Sequence, residues 1–332
     1  MKQDELNPGS LLKISDAYWK TCTLHAAVKL DIFTIIGSEK LAETEVAKRL
    51  QADERATGML LNALCAMELL KKIDGNYENT LLSTTFLSRN SPRYVGYIIQ
   101  HHQHLVASWN QLDIAIKTGR PVRTRSLFSD PEVREAFLMG MFNIAMNTAP
   151  HVIPQIDLGG RKRLLDLGGG PGTWAIHFCL KYPEMTAAVY DLPGTKPFAV
   201  RTIERFGLSE RIQFLGGSYL DDPIPGMFDL IWLSQILHGE GPDACSLIIQ
   251  KAADALSPGG MILIHEFMLE NSMDQPLFAT LFSLNMLLGT ESGQAYSEQQ
   301  LEGMLTRAGL QNIHRIPIHT PNDSSVIAGY KP

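Results

Sequence analysis

The distribution of apolar residues changes along the chain. In its second half, short apolar runs alternate with helical patterns, and the runs predict strands at 163–167, 186–190, 211–215, 228–234 and 261–266. Helices fill the intervals, and the clearest extends from Asp243 to Leu256 and ends at the turn residues 257–260. Regular alternation of strand and helix is typical of an open, parallel α/β sheet.

The C-terminal pattern departs from this alternation. Two runs, Asn312–Ile318 and Ser324–Tyr330, predict an antiparallel hairpin joined at residues 320–323. A parallel sheet closed by such a hairpin is not the plain dinucleotide-binding fold. It is the layout of methyltransferases that use S-adenosylmethionine (SAM).

The N-terminal part is mostly helical. Helices at Glu43–Leu50 and Glu54–Leu70 precede a strand pair over 72–78 with an Asp-Gly turn, which is the outline of a winged helix. Residues 1–120 carry 14 Lys and Arg against 13 Asp and Glu, whereas a protein that reads a DNA duplex needs a basic stripe. The second helix is also strongly apolar, so dimerisation is the favoured role of this module.

Apolar periodicity predicts two further helices, one over 94–118 and one over 131–152. Met139, Phe142 and Met146 lie on the second helix, just before a glycine-rich segment. Flexible apolar side chains of this kind suit a pocket for an aromatic ligand, although any one of them can equally belong to the core.

The chain is long enough for two domains with a connecting region. We expect a winged-helix dimerisation domain at 1–110 and linker helices that contribute to the substrate pocket at 111–155. A SAM-dependent methyltransferase catalytic domain is expected at 156–332.

The glycine-rich segment follows the first predicted strand and precedes a helix. Its spacing, Gly168-x-Gly170-x-Gly172, differs from the dinucleotide fingerprint G-x-G-x-x-G and favours the methionine part of SAM over NAD. Asp191 ends the second predicted strand about twenty residues later, where an acid usually receives the ribose hydroxyls. Together these features indicate a ligand that carries a nucleoside.

Composition narrows the class of protein. The net charge of −6 disfavours nucleic acid and anionic membranes as partners. The four cysteines form no C-x-x-C pair, the N-terminus lacks the features of a signal peptide, and no apolar run reaches membrane-spanning length. A cytoplasmic protein with free thiols is expected.

A histidine-rich stretch, His101-His102-Gln103-His104, raises the question of a metal site. His101 and His104 can share one helix face, but no acidic or thiol ligand lies near them in the sequence. No metal is expected.

Three motifs carry a family resemblance over nearly the whole chain. They are Leu165-Asp166-Leu167 with the glycine turn, Tyr190-Asp191-Leu192-Pro193, and Ile236-Leu237-His238. The sequence resembles the small-molecule O-methyltransferases of the caffeate and acetylserotonin type, whose bacterial relatives act on polyketides and other phenols. The resemblance implies a homodimer, SAM as the cofactor and a small aromatic acceptor.

The resemblance also implies roles for individual residues. Many family members have Asp where Ser218 stands, and plant members often place a lysine at the position of Ser234. The implied cofactor-binding residues are Asp166, Gly168, Gly170, Asp191, Ser218, Tyr219 and Ser234. Phe282 and Met286 would complete the wall of the acceptor pocket.

His238 matches the family's catalytic base. A phenol has a pKa of about 10 and a free imidazole of about 6.5, so a neutral imidazole can accept the proton as the oxygen attacks. Glu266 matches the first of two glutamates that orient this histidine in plant members, and the second position falls on Ala295. His265 should point to the opposite side of its strand, with a structural role.

Three functions are therefore considered. The leading hypothesis is methyl transfer from SAM to a hydroxyl of an aromatic or polyketide-like small molecule, with His238 and Glu266 as the catalytic pair. One alternative is a SAM-dependent C-methyltransferase or another SAM-using enzyme on the same fold. The other is a SAM-sensing winged-helix regulator, which the apolar recognition helix disfavours.

Overall fold

The computed structural model describes residues 7–123, 130–320 and 323–332. The chain divides into two compact units, Met1–Leu105 with Glu135–Asn143, and Val106–Arg134 with Ile144–Pro332. This division does not test the domain bounds expected near residues 110 and 155, which remain predictions.

The first unit is mainly helical. Its helices are α1 (Gly9–Ser15), α2 (Ala17–Lys29), α3 (Ile32–Ile36), α4 (Glu43–Leu50), α5 (Glu54–Ala66), α6 (Leu81–Phe86) and the start of α7 (Gly96–Trp109). A small antiparallel sheet has the order β1 (Leu41–Ala42), β3 (Asn76–Asn79), β2 (Leu70–Ile73). The predicted Asp-Gly turn joins β2 to β3, with φ of 50° at Asp74 and 79° at Gly75.

The core of this unit is built from helices α2 to α5 and the small sheet. Phe33, Leu61 and Tyr77 are fully buried in it. The N-terminal helices, by contrast, leave large apolar side chains exposed: Leu11, Leu12, Ile14, Tyr18 and Trp19. A contiguous sequence with so much exposed apolar surface is typical of an interaction site.

Two predicted helices have different limits in the structure. The helix predicted over 54–70 ends at Ala66, because Glu68 adopts a left-handed φ of 60° and Leu70 begins β2. The single helix predicted over 94–118 is wrong. It is two helices, α7 and α8 (Leu112–Thr118), separated at Gln111, whose φ of −114° and ψ of 18° are not helical.

The second unit is an α/β sheet with helices on both faces. Its further helices are α9 (Pro131–Val152, shared with the first unit), α10 (Thr173–Lys181), α11 (Lys196–Arg205), α12 (Pro242–Asp254), α13 (Leu277–Gly289) and α14 (Glu298–Arg307). Its strands are β4 (Arg163–Leu167), β5 (Thr186–Asp191), β6 (Ile212–Gly216), β7 (Phe228–Ser234), β8 (Leu256–Glu266), β9 (Gln311–Ile316) and β10 (Ser325–Tyr330).

The sheet has the order β6-β5-β4-β7-β8-β10-β9. Strands β4 to β8 pair in parallel, and β10 pairs antiparallel with both β8 and β9. This confirms the predicted fold class, a parallel sheet closed by an antiparallel hairpin beside a mostly helical N-terminal region. Two residues of the predicted hairpin connection, 321 and 322, lie outside the described residues.

Strand β8 begins five residues before the predicted start at 261. The turn predicted at 257–260 to end the preceding helix is part of this strand instead. Gly259 has a φ of 73°, and the main chain of Gly259 and Gly260 exchanges hydrogen bonds with that of Lys331. The C-terminal tail therefore draws this glycine-containing segment into the sheet as an irregular extension.

Apolar side chains cover both faces of the sheet. Trp232, Leu263 and Val189 belong to the core on one face, and Leu165, Ile231 and Ile264 to the core on the other. Within the described ranges, none of the helices combines the length and the apolar character needed to cross a bilayer.

Candidate active site

The parallel strands bring the predicted site residues to one edge of the sheet. Strands β4, β5, β7 and β8 end at Leu167, Asp191, Ser234 and Glu266, and all of them run in the same direction. Ligands of open α/β sheets bind at this carboxyl edge. The glycine turn follows β4, Asp191 is the last residue of β5, and the segment with His238 follows β7.

Only glycine fits the turn after β4. Gly168 has a φ of 69°, its N–H donates to Tyr190 O over 2.8 Å, and a Cβ at this position would lie 2.6 Å from Ile236 Cγ2. Gly170 has a φ of 54°, and no atom lies within 4 Å of a Cβ built on it. The turn is therefore tight on the protein side and open above Gly170, which suits close approach of a ligand to the backbone.

Asp191 connects the end of β5 to this turn. Its Oδ2 accepts a hydrogen bond of 2.8 Å from the Gly170 N–H, and its Oδ1 accepts from Leu192 N and Thr195 Oγ1. Burial raises the pKa of the Asp191 carboxyl, and these three donors oppose that rise. The carboxylate is held rigidly against the glycine turn.

Asp166 lies beneath the turn and is 1% exposed. Its Oδ2 accepts from Ala175 N over 3.1 Å, while its Oδ1 is buried without a hydrogen-bond partner. Burial, together with the neighbouring charge of Asp191, raises the pKa of Asp166 to about 7, although the Ala175 N–H opposes this rise. A buried carboxylate oxygen without a donor suits a ligand that brings a cationic or N–H group.

Ser218 and Tyr219 lie on the loop after β6. Ser218 Oγ donates to Asp221 Oδ2 over 2.8 Å, and Tyr219 OH donates to Glu240 Oε1 over 3.4 Å. Lys251, which the sequence did not single out, donates from α12 to the carbonyl oxygens of Tyr219 and Leu220 and to that of Asp222. One ammonium group thus holds the whole turn of this loop.

Ser234 ends β7 and contacts a buried histidine. His265 Nδ1 lies 2.8 Å from Ser234 Oγ, and its Nε2 lies 2.6 Å from Ser324 Oγ. Burial lowers the pKa of His265 to about 4, so the ring is neutral near pH 7, and it stacks on Trp232. His265 therefore links three strand-end segments, and its ring is on the face opposite to Glu266.

Glu266 holds His238 through both of its carboxylate oxygens. Glu266 Oε2 lies 2.8 Å from His238 Nδ1, and Oε1 accepts from Leu237 N over 3.0 Å and from His238 N over 3.4 Å. Because a carboxylate accepts hydrogen bonds, Nδ1 carries the proton and Nε2 is left with a lone pair. The glutamate is 3% exposed, so its contact with the imidazole is shielded from water.

A second set of contacts holds the turn that carries His238. Cys245 Sγ donates to Leu237 O over 3.1 Å, and Tyr296 OH donates to Glu240 O over 2.6 Å. Gly293 packs so closely on this turn that a Cβ would lie 2.5 Å from His238 O. Ala295, where the resemblance leads us to expect a second glutamate in plant members, is buried and contributes no acid.

An aromatic cluster borders His238. The ring of Phe282 meets the imidazole edge to face, with ring centres 4.7 Å apart, and Phe267 and Phe278 pack on Phe282. Met286, one turn further along α13, is buried. The structure thus places Phe282 beside the predicted base.

The other pocket residues predicted from the sequence are divided between the units. Met139 and Phe142 belong to the first unit, and Met146 belongs to the second, where its sulfur lies 3.2 Å from His177 Nε2. Their role in a pocket remains a prediction. Within the described residues, no group of three or more His, Cys, Asp or Glu side chains is arranged to hold a metal ion.

Comparison with known proteins adds independent information. A family model described as the O-methyltransferase domain matches residues 115–311, and one described as the O-methyltransferase dimerisation domain matches residues 12–89. The first covers more than half of the chain.

Two curated relatives align over almost their full lengths. The chain is 31% identical over 330 residues to 3-hydroxy-5-methyl-1-naphthoate 3-O-methyltransferase of Streptomyces sahachiroi, covering 98% of this chain and 95% of that protein. It is 28% identical to the tetracenomycin polyketide synthesis 8-O-methyl transferase TcmO of Streptomyces glaucescens, covering 98% and 97%. Among solved structures, human N-acetylserotonin methyltransferase in complex with SAM superposes with a TM-score of 0.88 at 26% identity, covering 100% and 99%.

Proposed function

The chain belongs to the O-methyltransferase family and is a SAM-dependent O-methyltransferase, and we propose that it methylates a hydroxyl group of an aromatic or polyketide-like small molecule with His238 as the general base. The observation that carries the proposal is the Glu266–His238 contact of 2.8 Å at the carboxyl edge of the sheet. Relatives named for a naphthoate and for a polyketide support the acceptor class.

The cofactor-binding residues proposed are those at the ends of β4 to β7. Asp191 would receive the ribose hydroxyls, the open side of Gly170 would face the methionine part, and the unpartnered Oδ1 of Asp166 would face its ammonium group. Ser218 and Tyr219 would bracket the adenine, on the loop that Lys251 holds. SAM supplies an electrophilic methyl group on a sulfonium.

The proposed role of His238 follows from its hydrogen bonds. Nδ1 is occupied by Glu266, so the acceptor's hydroxyl proton would pass to Nε2 as its oxygen attacks the methyl carbon. The buried Glu266 carboxylate would stabilise the imidazolium that forms. It also accepts a hydrogen bond from the main-chain N–H of Leu237, which holds the segment that carries the ring. Phe282 excludes water from one side of the ring and offers an apolar surface to an aromatic acceptor.

We further propose a homodimer that forms through the dimerisation domain at residues 12–89. The exposed apolar side chains of α1 and α2, among them Leu12 and Trp19, support this assembly.

The test is methyl transfer from labelled SAM to a panel of phenols and hydroxynaphthalenes. The wild type should methylate members of the panel, and His238→Ala should lower kcat by about 10²–10⁴-fold while S-adenosylhomocysteine binds as in the wild type. His151→Ala, which removes an exposed histidine, is the matched control. Wild-type turnover by His238→Ala on a phenol with a pKa of about 10 would show that His238 is not the base.

A further inference from the structure

Arg123 has an unusual environment in the second unit. The main-chain N–H groups of Val122 and Arg123 both donate to Leu288 O, over 3.1 and 2.9 Å. The guanidinium lies against Gly289, at the end of α13, where a Cβ would overlap Nη2 and lie 2.6 Å from Cζ. The main-chain hydrogen bonds to Leu288 therefore fix the position of Arg123, and Gly289 leaves space for its guanidinium beside α13.

Within the described residues, the Arg123 guanidinium forms no ion pair. Its Nη1 is buried without a hydrogen-bond partner, and no carboxylate pairs with it in the described part of the chain. Burial lowers the pKa of Arg123, and no acid opposes that fall. The neighbouring segment, residues 124–129, contains no Asp or Glu in its sequence. An arginine stays charged in proteins, so this uncompensated cation is costly unless an anion reaches it.

Arg123 lies on the side of α13 that leads to the proposed base. Phe282, which contacts His238, and Gly289 are seven residues apart, so they share one helix face about 10 Å apart. Asn285 lies between them on the same side, and its Oδ1 is also buried without a partner. A strip of α13 thus begins at the imidazole, passes an unsatisfied amide and ends at an unsatisfied cation.

We propose that this strip, from Phe282 to Gly289, binds the acceptor lengthwise, and that Arg123 binds a carboxylate of the acceptor at the end remote from the hydroxyl that is methylated. The inference rests on the proposed function and specifies its substrate class as hydroxyaryl acids of one or two fused rings. A guanidinium presents two parallel N–H groups to a carboxylate, which makes it selective for a planar anion over an ester of the same shape.

The test compares acids with their methyl esters in the intact protein saturated with S-adenosylhomocysteine. The probes are 6-hydroxy-2-naphthoic acid and 3-hydroxy-1-naphthoic acid, which differ in the separation of the two groups, with the methyl ester of each. Calorimetry should show that the wild type binds at least one acid more tightly than its ester. Arg123→Gln should lower the affinity for that acid by about 10-fold or more and the affinity for its ester by less than about 3-fold.

Two controls separate binding from folding. Arg120→Gln removes an exposed arginine three residues away and should bind all probes as the wild type does. Arg123→Gln removes a partly buried charge whose Nη1 has no hydrogen-bond partner among the described residues, so its Tm without ligand should equal or exceed that of the wild type. A lower Tm with equal losses for acid and ester would assign Arg123 a structural role and overturn the inference.

The remaining outcomes distinguish this inference from the proposed function. A wild type that prefers both esters, or binds neither acid, overturns the inference, even if it methylates 2-naphthol and thereby supports the function. Binding of an acid that depends on Arg123 without any methyl transfer would support the inference and contradict the function.

Discussion

Tyr296 donates a hydrogen bond of 2.6 Å to the carbonyl oxygen of Glu240, two residues beyond the proposed base. Tyr296 is 2% exposed, and the next residue, Ser297, begins α14 with a capping box. The turn that carries His238 is therefore attached to the start of a well-defined helix. Tyr296 directly follows Ala295, the position at which plant relatives are expected to have a second glutamate.

Tyr296→Phe removes only the hydroxyl. We expect a loss of about 1 kcal/mol in the free energy of unfolding, because the Glu240 carbonyl loses its short hydrogen bond and keeps only the longer one from Cys245 Sγ. We also expect kcat to fall by up to about 10²-fold with unchanged affinity for S-adenosylhomocysteine, because the imidazole is displaced relative to the acceptor. Steady-state kinetics and denaturant unfolding measure both effects.

Tyr182→Phe is the matched control for this prediction. Its hydroxyl donates to Ile156 O over 3.4 Å, a carbonyl outside the site, so its loss should affect stability alone. Equal kinetics for Tyr296→Phe and the wild type would show that the attachment does not position the base.

Glu266→Gln replaces the charged partner of His238 by a neutral one. The amide can still accept from Leu237 N through its oxygen, but its NH₂ group then faces Nδ1 and favours the tautomer with the proton on Nε2. We expect kcat to fall by about 10–10²-fold, less than for His238→Ala, because the ring remains in place. A loss as large as that of His238→Ala would mean that the charge of Glu266 and its control of the tautomer, and not ring position alone, determine the rate.

Asp191→Ala should weaken binding of S-adenosylhomocysteine by about 1.5–3 kcal/mol, the range for hydrogen bonds that involve a charged group. Asp229→Ala is the control, because Asp229 also accepts two main-chain N–H groups, from Lys162 and Arg163, but at the opposite edge of the sheet. Calorimetry that finds equal losses for both variants would remove Asp191 from the cofactor site.

Asp166 makes the stability of the ligand-free protein depend on pH. Its pKa is about 7 in the folded protein and near 3.8 in the unfolded chain, so between these values the folded state holds a proton that the unfolded state lacks. The free energy of unfolding should therefore decrease as the pH rises from about 4 to about 7, by at most about 1.4 kcal/mol per pH unit.

Asp166→Asn should remove this contribution, so the variant should gain stability relative to the wild type as the pH rises from 5 to 8. Urea unfolding at these two pH values measures the difference. A difference between variant and wild type that is the same at both values would show that Asp166 does not titrate in this range.

Assembly can be tested on the exposed N-terminal helices. We expect a homodimer at micromolar concentration with an interface above about 2,000 Å², and Trp19→Glu should weaken it at least about 10-fold, because Trp side chains often dominate such interfaces. Sedimentation velocity measures the assembly. Leu180→Glu, at an exposed leucine of the second unit, should leave it intact. A monomeric wild type would contradict the prediction.

Local patterns in the sequence were sufficient for much of the fold. Strands β4 and β7 coincide with their predicted limits, because strands buried on both faces are mostly apolar runs that turn residues interrupt. The Asp74-Gly75 hairpin and the glycine turn at 168–172 were predictable because positive φ values restrict the residue type. The contact of His238 with Glu266 was expected from family resemblance, and the strand order makes it physically possible.

Other features depend on residues that are far apart in the sequence. The residue types at 257–260 predict a turn. Strand β8 nevertheless extends back to Leu256, because the main chain of Lys331 pairs with that of Gly259 and Gly260. The hydrogen bonds from Lys251 to the 219–222 loop and from Tyr296 to Glu240 likewise join residues that only tertiary packing brings together.

Arg123 shows the same division between local and tertiary information. In the sequence it is one arginine among many, between Val122 and Thr124, and nothing local indicates that its Nη1 is buried. The sequence by itself determined where the chain turns and which faces are apolar, because φ preferences and hydrophobic period act over a few residues. Only the tertiary structure decided which polar groups are left without partners, since that depends on every element packed around them. The Arg123 guanidinium is an example, because it lies against Gly289 and its Nη1 has no hydrogen-bond partner among the described residues.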